Sequence, residues 1–595
     1  MIVVLRSLFL AIFVLASMTF STSEEYGFYK PYGGFVPIQD LPLDFQAHVR
    51  SISFIRHDAF DGSVAHSSLE RKLFAWGNSL HIKTHESTLR RRSPIEAGQT
   101  VDKRILTEME KSLRLEDFLS DVIMEVKTLS DTLCDIRITT FDQWTTIPGA
   151  SFQVQGLKPN DILSGKFSRI LDNEFIWSAG ISESNLFGEG IKLGGAYRHD
   201  LERNSREAFF QNTNMTPLHL KLTTTAAARS DGDSLILKIE MPLRTSLDSY
   251  GFSLSLLALE SSERLYFDAN RLQELSSLLR VRKMGKAQVL RQFDHVSTQE
   301  IQFKAIRSFG YDFKFDIGPS FDYRDHYGSG QLGEVDSALL RDIAPLPSSM
   351  EGPELSTDAA LGLAFSLYQF TYHTTKNHHN LKWNESVPHG WQLDTKVAMN
   401  QTVLSARNSD FLLEQSAKFQ LDWEQRLFMH SQLSGKGFLS DSGEWRDAIA
   451  EAWLEAQWKQ NSVTTTVLSG SMSALFATPL SRQLTLGEAQ GLHGFPTFYF
   501  SGQSRYWISA EQRLFPIFEF LTAVPAFVLH ATAGNTFPSF RDMQFDGLHY
   551  SVGAGIRLGK SKSVSKGIQN LDIDWPIGDS KFQHPVISIV AKKTL

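Results

Sequence analysis

Leu235-Ile236-Leu237-Lys238-Ile239-Glu240-Met241 decides the fold class. Leu235, Leu237, Ile239 and Met241 take every second position while Lys238 and Glu240 fall between them, so an extended chain shows one oily and one polar face. The split recurs in Phe252, Leu254 and Leu256 against Ser253 and Ser255, and in Tyr311, Phe313, Phe315 and Ile317 against Asp312, Lys314 and Asp316. It returns in Leu361, Leu363, Phe365 and Leu367 against Ser366, and in Phe419, Leu421 and Trp423 against Lys418, Gln420 and Asp422. Trp445 to Lys459 is rich in Ala and Glu, but Ala448, Ala450, Ala452, Leu454, Ala456 and Trp458 alternate with Glu451, Glu455 and Gln457, so it reads as a strand. Asn270 to Arg282 has helical character and reads as a loop insertion.

Alternation alone fits a soluble sandwich as well as a membrane barrel. The barrel is favoured by strands of about 9–11 residues, separated by polar segments with Asn, Asp and Gly and running to the end of the sequence. There Ile587, Ile589, Ala591 and Leu595 share a face.

The N-terminus supports export. Arg6 precedes the apolar run Ser7 to Ala16, and the small-residue stretch Ser17 to Ser23 follows, as in a cleavable signal peptide over 1–23. Beyond it no apolar run is long enough for a membrane helix, and in lipid only helices and closed barrels satisfy every backbone polar group. With 42% apolar and 21% charged residues the chain is too oily for a disordered protein. Its 14 Tyr and 11 Trp supply rings that favour a membrane–water interface. Nothing in the charge pattern, at net -7, suggests nucleic acid. The single cysteine, Cys134, excludes an internal disulfide or a multi-thiolate metal site.

Between Gln46 and about Thr145 the signals are mixed. Val49 to Ile55 alternates as a strand, Ser67 to Ala75 suits a short helix and Thr107 to Arg114 a clearer one. Val122, Met124 and Val126 then share one strand face, and Cys134, Ile136 and Ile138 another. The order β, α, α, β, β describes a small α+β domain with helices on one sheet, its boundary near Pro148-Gly149. The expected division is a linker at 24–45, the small domain at 46–147, a linker at 148–171 and the barrel at 172–595.

Asn78 to Thr84, Glu183 to Gly190, Gly487 to Pro496 and Tyr550 to Leu558 are four motifs that in this order resemble the Omp85 (bacterial surface antigen) superfamily, in its branch with a single periplasmic POTRA-like domain. Asn78 to Thr84, with Ser112-Leu113-Arg114 and Asp142-Gln143-Trp144-Thr145, looks like the POTRA pattern. Glu183 to Gly190 is similar to the turn after the first barrel strand. Gly487-Glu488-Ala489-Gln490-Gly491-Leu492-His493-Gly494-Phe495-Pro496, followed by Ser509 to Phe515, looks like the inward-folded sixth loop and the strand after it. Tyr550 to Leu558 with Leu571 to Pro576 resembles the closing hairpin.

The resemblance implies a mainly β protein: a transmembrane antiparallel barrel of about 16 strands after one POTRA-like domain. It also implies a loop lock in the lumen, made here by Gly491, His493, Gly494, Phe495, Glu511 and Arg513. The family's loop arginine is His493 in this chain, and its usual aspartate on the next strand aligns with Thr532. Alternation over Arg505 to Phe515 turns Glu511 and Arg513 to the lumen, where His493 could donate to Glu511.

Three function classes are weighed. The resemblance implies an outer-membrane protein that inserts or moves polypeptide, or lipid, without covalent chemistry; its partners would be outer-membrane lipid, an unfolded or secreted client and periplasmic assembly factors. A passive pore or surface structural barrel is the alternative on the same fold. For an enzyme, the chain lacks Gly-x-Ser-x-Gly, His-Glu-x-x-His, phosphate-loop and Cys-x-x-Cys patterns, and no cofactor is expected. His373, His378 and His379 read as a solvated loop rather than a metal site.

Overall fold

The computed structural model describes residues 33–60, 68–93, 95–154, 175–216, 218–245, 248–266, 282–284, 287–332, 354–378, 384–478, 482–515, 523–560, 569–578 and 585–591. The signal segment 1–23, nearly all of the helical stretch 270–282, His379 and Leu595 lie outside them.

The small domain forms as its alternation requires. Strands Gln46–His57, Leu119–Ser130 and Leu133–Asp142 make the body of a five-stranded sheet, with Gln46–His57 parallel to Leu133–Asp142. The short strands Val36–Pro37 and Thr100–Asp102 flank it. Asp102 caps helix Lys103–Arg114 by accepting from the Ile105 amide at 2.7 Å. Leu106, Met109 and Leu113 recur at helical spacing on its inner face and pack on Val122, Met124, Val126, Ile136 and Ile138, all buried.

Two expectations shift. The sequence reading gave two helices, and the described residues of this domain form three: Ser68–Leu80, Glu86–Arg92 and Lys103–Arg114. The middle one, at seven residues, is too short for its periodicity to stand out. The segment assigned to a linker at 24–45 also supplies core, because Ile38 and Leu41 are buried against the others.

The second body is a closed antiparallel barrel, a transmembrane β-barrel by its strand lengths and its faces. Its opening strand is Thr146–Val154, and the closing strand Val586–Ala591 pairs back onto it. The barrel thus begins at Thr146, two residues before the expected 148–171 linker and directly after the small domain, where Thr146-Ile147-Pro148 pairs with Glu183-Ser182-Ile181.

Among the described residues twenty long strands form the sheet, not about sixteen. Ile191–His199, Asn204–Asn212, Lys221–Arg229 and Gly232–Met241 crowd four strands into a region where only the last alternates cleanly in sequence. Trp445–Lys459 is a strand, as read. Tyr550 to Leu558 and Leu571 to Pro576 form the expected hairpin within His549–Lys560 and Gln569–Ile577. Strand Glu354–Lys376 carries His373 out of the expected loop, and His378, just beyond it, is buried beside Phe428.

Register turns the alternation into two continuous surfaces. Leu421, Met429, Ala456, Leu468, Ala510, Ala531, Val552 and Trp575 lie opposite one another across eight successive strands, so their row is apolar throughout. Leu421 at 50% and Leu468 at 51% relative exposure are half open on this face. One residue along, Gln420, His430, Glu455, Ser469, Ser509, Thr532 and Ser551 form a polar row on the inner face. An oily exterior around a polar lumen is the arrangement that lipid selects.

Candidate functional site in the barrel lumen

The register builds the site from four neighbouring strands. Glu511 on Ser504–Leu514 lies opposite His530 on Ala523–Phe537, His530 opposite Gly553, and Gly553 opposite Asp574. Because Gly553 has no side chain, His530 and Asp574 meet across it: His530 Nε2 is 2.5 Å from Asp574 Oδ1, and a Cβ at 553 would collide with both. Beside this row Arg557 Nη1 donates to Asp572 Oδ1 at 2.5 Å, and Arg513 Nε donates to Glu511 Oε1 at 2.8 Å.

The segment after strand Thr464–Phe476 folds inward onto this wall. Leu484–Leu486 pairs with Phe500–Gly502 as a short hairpin, and its tip carries Glu488 to Phe495. Leu486, Leu492, Phe495, Tyr499 and Phe500 form a buried cluster with Val586 of the closing strand. Gly491, at φ +105°, leaves room for the Trp507 indole, and Gly494, at φ +81°, brings the backbone against Ser551 and Asp574. Across the lumen Phe498 stacks on Tyr266 at 4.4 Å, and Ser501 Oγ donates to the Tyr266 carbonyl at 3.0 Å. The loop therefore spans from one wall to another.

Of the sequence-selected residues, the structure brings Gly491, His493, Gly494 and Phe495 onto the wall that carries Glu511 and Arg513. The expected His493–Glu511 bond is replaced by others. His493 Nδ1 lies 3.2 Å from Glu488 Oε1 of its own loop, and Glu511 is held by Arg513 on its own strand. Imidazole is shorter than an arginine side chain, so the nearer loop carboxylate takes it. Thr532, at the aligned aspartate position, shares a 2.7 Å hydroxyl bond with Ser551.

Sequence reading assigned no role to Glu488, His530, Asp572 or Asp574. Their signal was available: extending the inward parity of Glu511 across the two following hairpins puts His530, Asp572 and Asp574 on the lumen face.

A second constellation joins the two bodies. The turn Glu183 to Gly190 follows the second barrel strand, Phe175–Leu186, rather than the first, because Thr146–Val154 precedes it. It docks on helix Glu86–Arg92. The His85 amide donates to the Gly188 carbonyl at 3.0 Å, Thr88 Oγ1 to the same carbonyl at 3.0 Å, and Asn185 Nδ2 to Thr84 Oγ1 at 2.9 Å. Glu189 accepts from Arg91 and Thr88 and meets His85 at 3.2 Å. Burial pushes the Glu189 carboxyl up, but the His85 bond and the Arg91 charge together hold it below its ordinary value. Gly190, at φ +65°, leaves the space that Arg92 and Phe118 occupy.

The fold and site define a class: a closed membrane-type barrel with a loop folded into its lumen and one α+β domain clamped to a rim turn. Among the solved structures similar to this chain are the following three. BamA from Haemophilus ducreyi lacking POTRA domains 1–3 matches over 91% of this chain and 84% of that one, at 10% identity and TM-score 0.34. CdiB from Acinetobacter baumannii matches over 91% and 73%, at 11% identity and TM-score 0.40. CdiB from Escherichia coli matches over 92% and 76%, at 10% identity and TM-score 0.41. Superpositions this loose carry no argument about activity, and the barrel rests on its own hydrogen-bonded closure. No family model matches the sequence, and no curated protein matches it significantly.

Proposed function

We propose that this protein is an Omp85-like barrel of the bacterial outer membrane, its N-terminal domain in the periplasm, that inserts or translocates polypeptide without covalent chemistry. The observation that carries this reading is the seam. Among the described residues, Val586–Ala591 meets Thr146–Val154 through three pairs, Ile587, Ser588 and Ile589 opposite Val154, Gln153 and Phe152. The adjoining ladders are longer: Thr146–Val154 pairs with the next strand over all its residues, and Val586–Ala591 pairs with Gln569 to Asp574 over all of its own. A short ladder between first and last strands is a place where the cylinder opens at the cost of few hydrogen bonds, and an open edge accepts an extended client by strand addition.

The small domain offers a second edge of the same kind. Strand Gln46–His57 is flanked by Thr100–Asp102 only along Gln46 to His48. Beyond that, among the described residues, its Ile52 and Arg56 carbonyls are met by the Arg90 and Lys83 side chains rather than by another strand. The rim turn holds this domain beside the second barrel strand, so a client captured on it lies near the seam. A loop across the lumen disfavours the passive-pore alternative, whose conductance would be steady.

The test is a Gln153→Cys/Ser588→Cys pair in planar bilayers, with an unfolded polypeptide added on the small-domain side. Polypeptide-dependent gating that disappears on oxidation and returns on reduction supports the proposal. A steady open conductance indifferent to both polypeptide and cross-link overturns it in favour of a passive pore.

A further inference from the structure

We propose that Glu488, His493 and Asp574 hold a divalent transition-metal ion of the zinc class, which staples the inward loop to the lumen wall. The three side chains each offer one ligand atom, and these atoms lie within 4.8 Å of one another. Two come from the loop and one from strand Gln569–Ile577, so an ion shared among them joins the loop to the wall.

The atomic detail fits a ligand set. His493 Nδ1 and Glu488 Oε1 are 3.2 Å apart. Two ligands on one tetrahedral zinc, each bonded at about 2.0–2.1 Å, stand about 3.3 Å from each other. Each carboxylate has one oxygen anchored and one spare. Glu488 Oε2 accepts from the Gly494 amide at 2.8 Å, leaving Oε1 toward His493. Asp574 Oδ1 is engaged by His530 Nε2, and Asp574 Oδ2 is buried with no hydrogen-bond partner among the described residues. Asp574 is 0% exposed, and a fully buried carboxylate oxygen without a donor costs the desolvation of that atom unless a cation meets it.

His530 acts as the positioning residue: it orients the Asp574 carboxylate from behind, as outer-shell partners of metal ligands do. Gly494 and Gly553 keep the space between loop and wall open. One imidazole with two carboxylates selects a borderline ion such as zinc over calcium or magnesium, which take oxygen ligands and keep more water. The two carboxylate charges balance the dication, and a water would complete the tetrahedron. The ion would do for the loop what a long cationic side chain would do at position 493, bridging to a wall carboxylate that the imidazole alone does not reach.

The experiment uses the full chain in detergent, stripped with EDTA and titrated calorimetrically with zinc, with cobalt absorption as a geometry report. One ion per chain, cobalt bands of a four-coordinate oxygen/nitrogen site and no competition from magnesium or calcium are expected. His493→Ala and Asp574→Asn should weaken binding at least tenfold, and His530→Gln by roughly tenfold with unchanged stoichiometry. Heat-modifiable migration of each variant reports that the barrel has folded. Zinc should also slow tryptic cleavage at Arg482, which precedes the loop hairpin, and this protection should vanish in Asp574→Asn. Absence of stoichiometric binding in the wild-type chain, or equal binding by a folded His493→Ala/Asp574→Asn double variant, overturns the proposal. Because no client enters the assay, its failure leaves the proposed function standing.

Discussion

Phe495→Ala should release the lumenal loop while leaving the barrel intact. Phe495 is fully buried, with ring centroids 5.4 Å from Phe500, 5.7 Å from His549 and 6.2 Å from Tyr499. Removing a buried phenyl ring typically costs about 3–5 kcal/mol, through lost transfer energy and the cavity left behind. The loss falls on docking where the loop's ring cluster forms only against the wall, to which His549 and Val586 belong, and no barrel ladder includes Phe495. At about 1.4 kcal/mol per decade, the undocked population rises by roughly two to three and a half orders of magnitude. When opening and closing are fast relative to cleavage, proteolysis follows that population. Limited trypsinolysis at Arg482 should therefore accelerate by a factor of about 100 or more, while the temperature of the heat-modifiability transition barely moves. Cleavage within about threefold of wild type would refute the claim that the apolar cluster holds the loop.

Gly190→Ala places a Cβ 2.6 Å from both Arg92 Nη2 and a Phe118 ring carbon at φ +65°. It should loosen the small domain by about 1–3 kcal/mol, seen as a broadened distance distribution between spin labels at Glu96 and Leu218. The same label pair tests pH. Because the Glu189 carboxyl lies below its ordinary 4.5 in the folded protein, its contribution is present above that value and lost as pH falls through it and below. The distribution should thus widen between about pH 5 and about pH 3, and less so in Glu189→Gln. On the barrel wall, Leu421→Arg should cost about 2–4 kcal/mol in lipid and Gln420→Arg well under that, read from urea unfolding in vesicles. His493→Arg should leave the loop docked, reaching wall carboxylates directly, with tryptic cleavage at Arg482 no faster than in wild type.

The barrel was legible because its signal is local. A two-residue alternation survives in Phe419 to Trp423 and in Trp445 to Lys459 whatever the rest of the chain does, and lipid favours it along the wall. Strand number was not legible in the same way. Ile191–His199 and Lys221–Arg229 are rich in Gly, Ala and Thr, whose faces differ little in polarity, so they pass unnoticed between clearer neighbours. The site was half legible. His493 and Phe495 sit in a continuous stretch that can be quoted, whereas His530 and Asp574 become neighbours only once register across two hairpins is known. The exchange of Glu511 for Glu488 as the partner of His493 depended on side-chain reach, which a sequence does not encode by position.

The central claim is that alternate residues of one strand face lipid and lumen. A single reporter cysteine tests it against a quiet background, because burial, aided by Asp135, pushes the Cys134 thiol up to about 11. An environment-sensitive fluorophore placed in turn at Lys418, Phe419, Gln420 and Leu421, in vesicles with brominated acyl chains, should be quenched by lipid at Phe419 and Leu421. At Lys418 and Gln420 it should be quenched by iodide from water instead. Uniform quenching at all four positions, or a helical period of protection, would contradict the barrel.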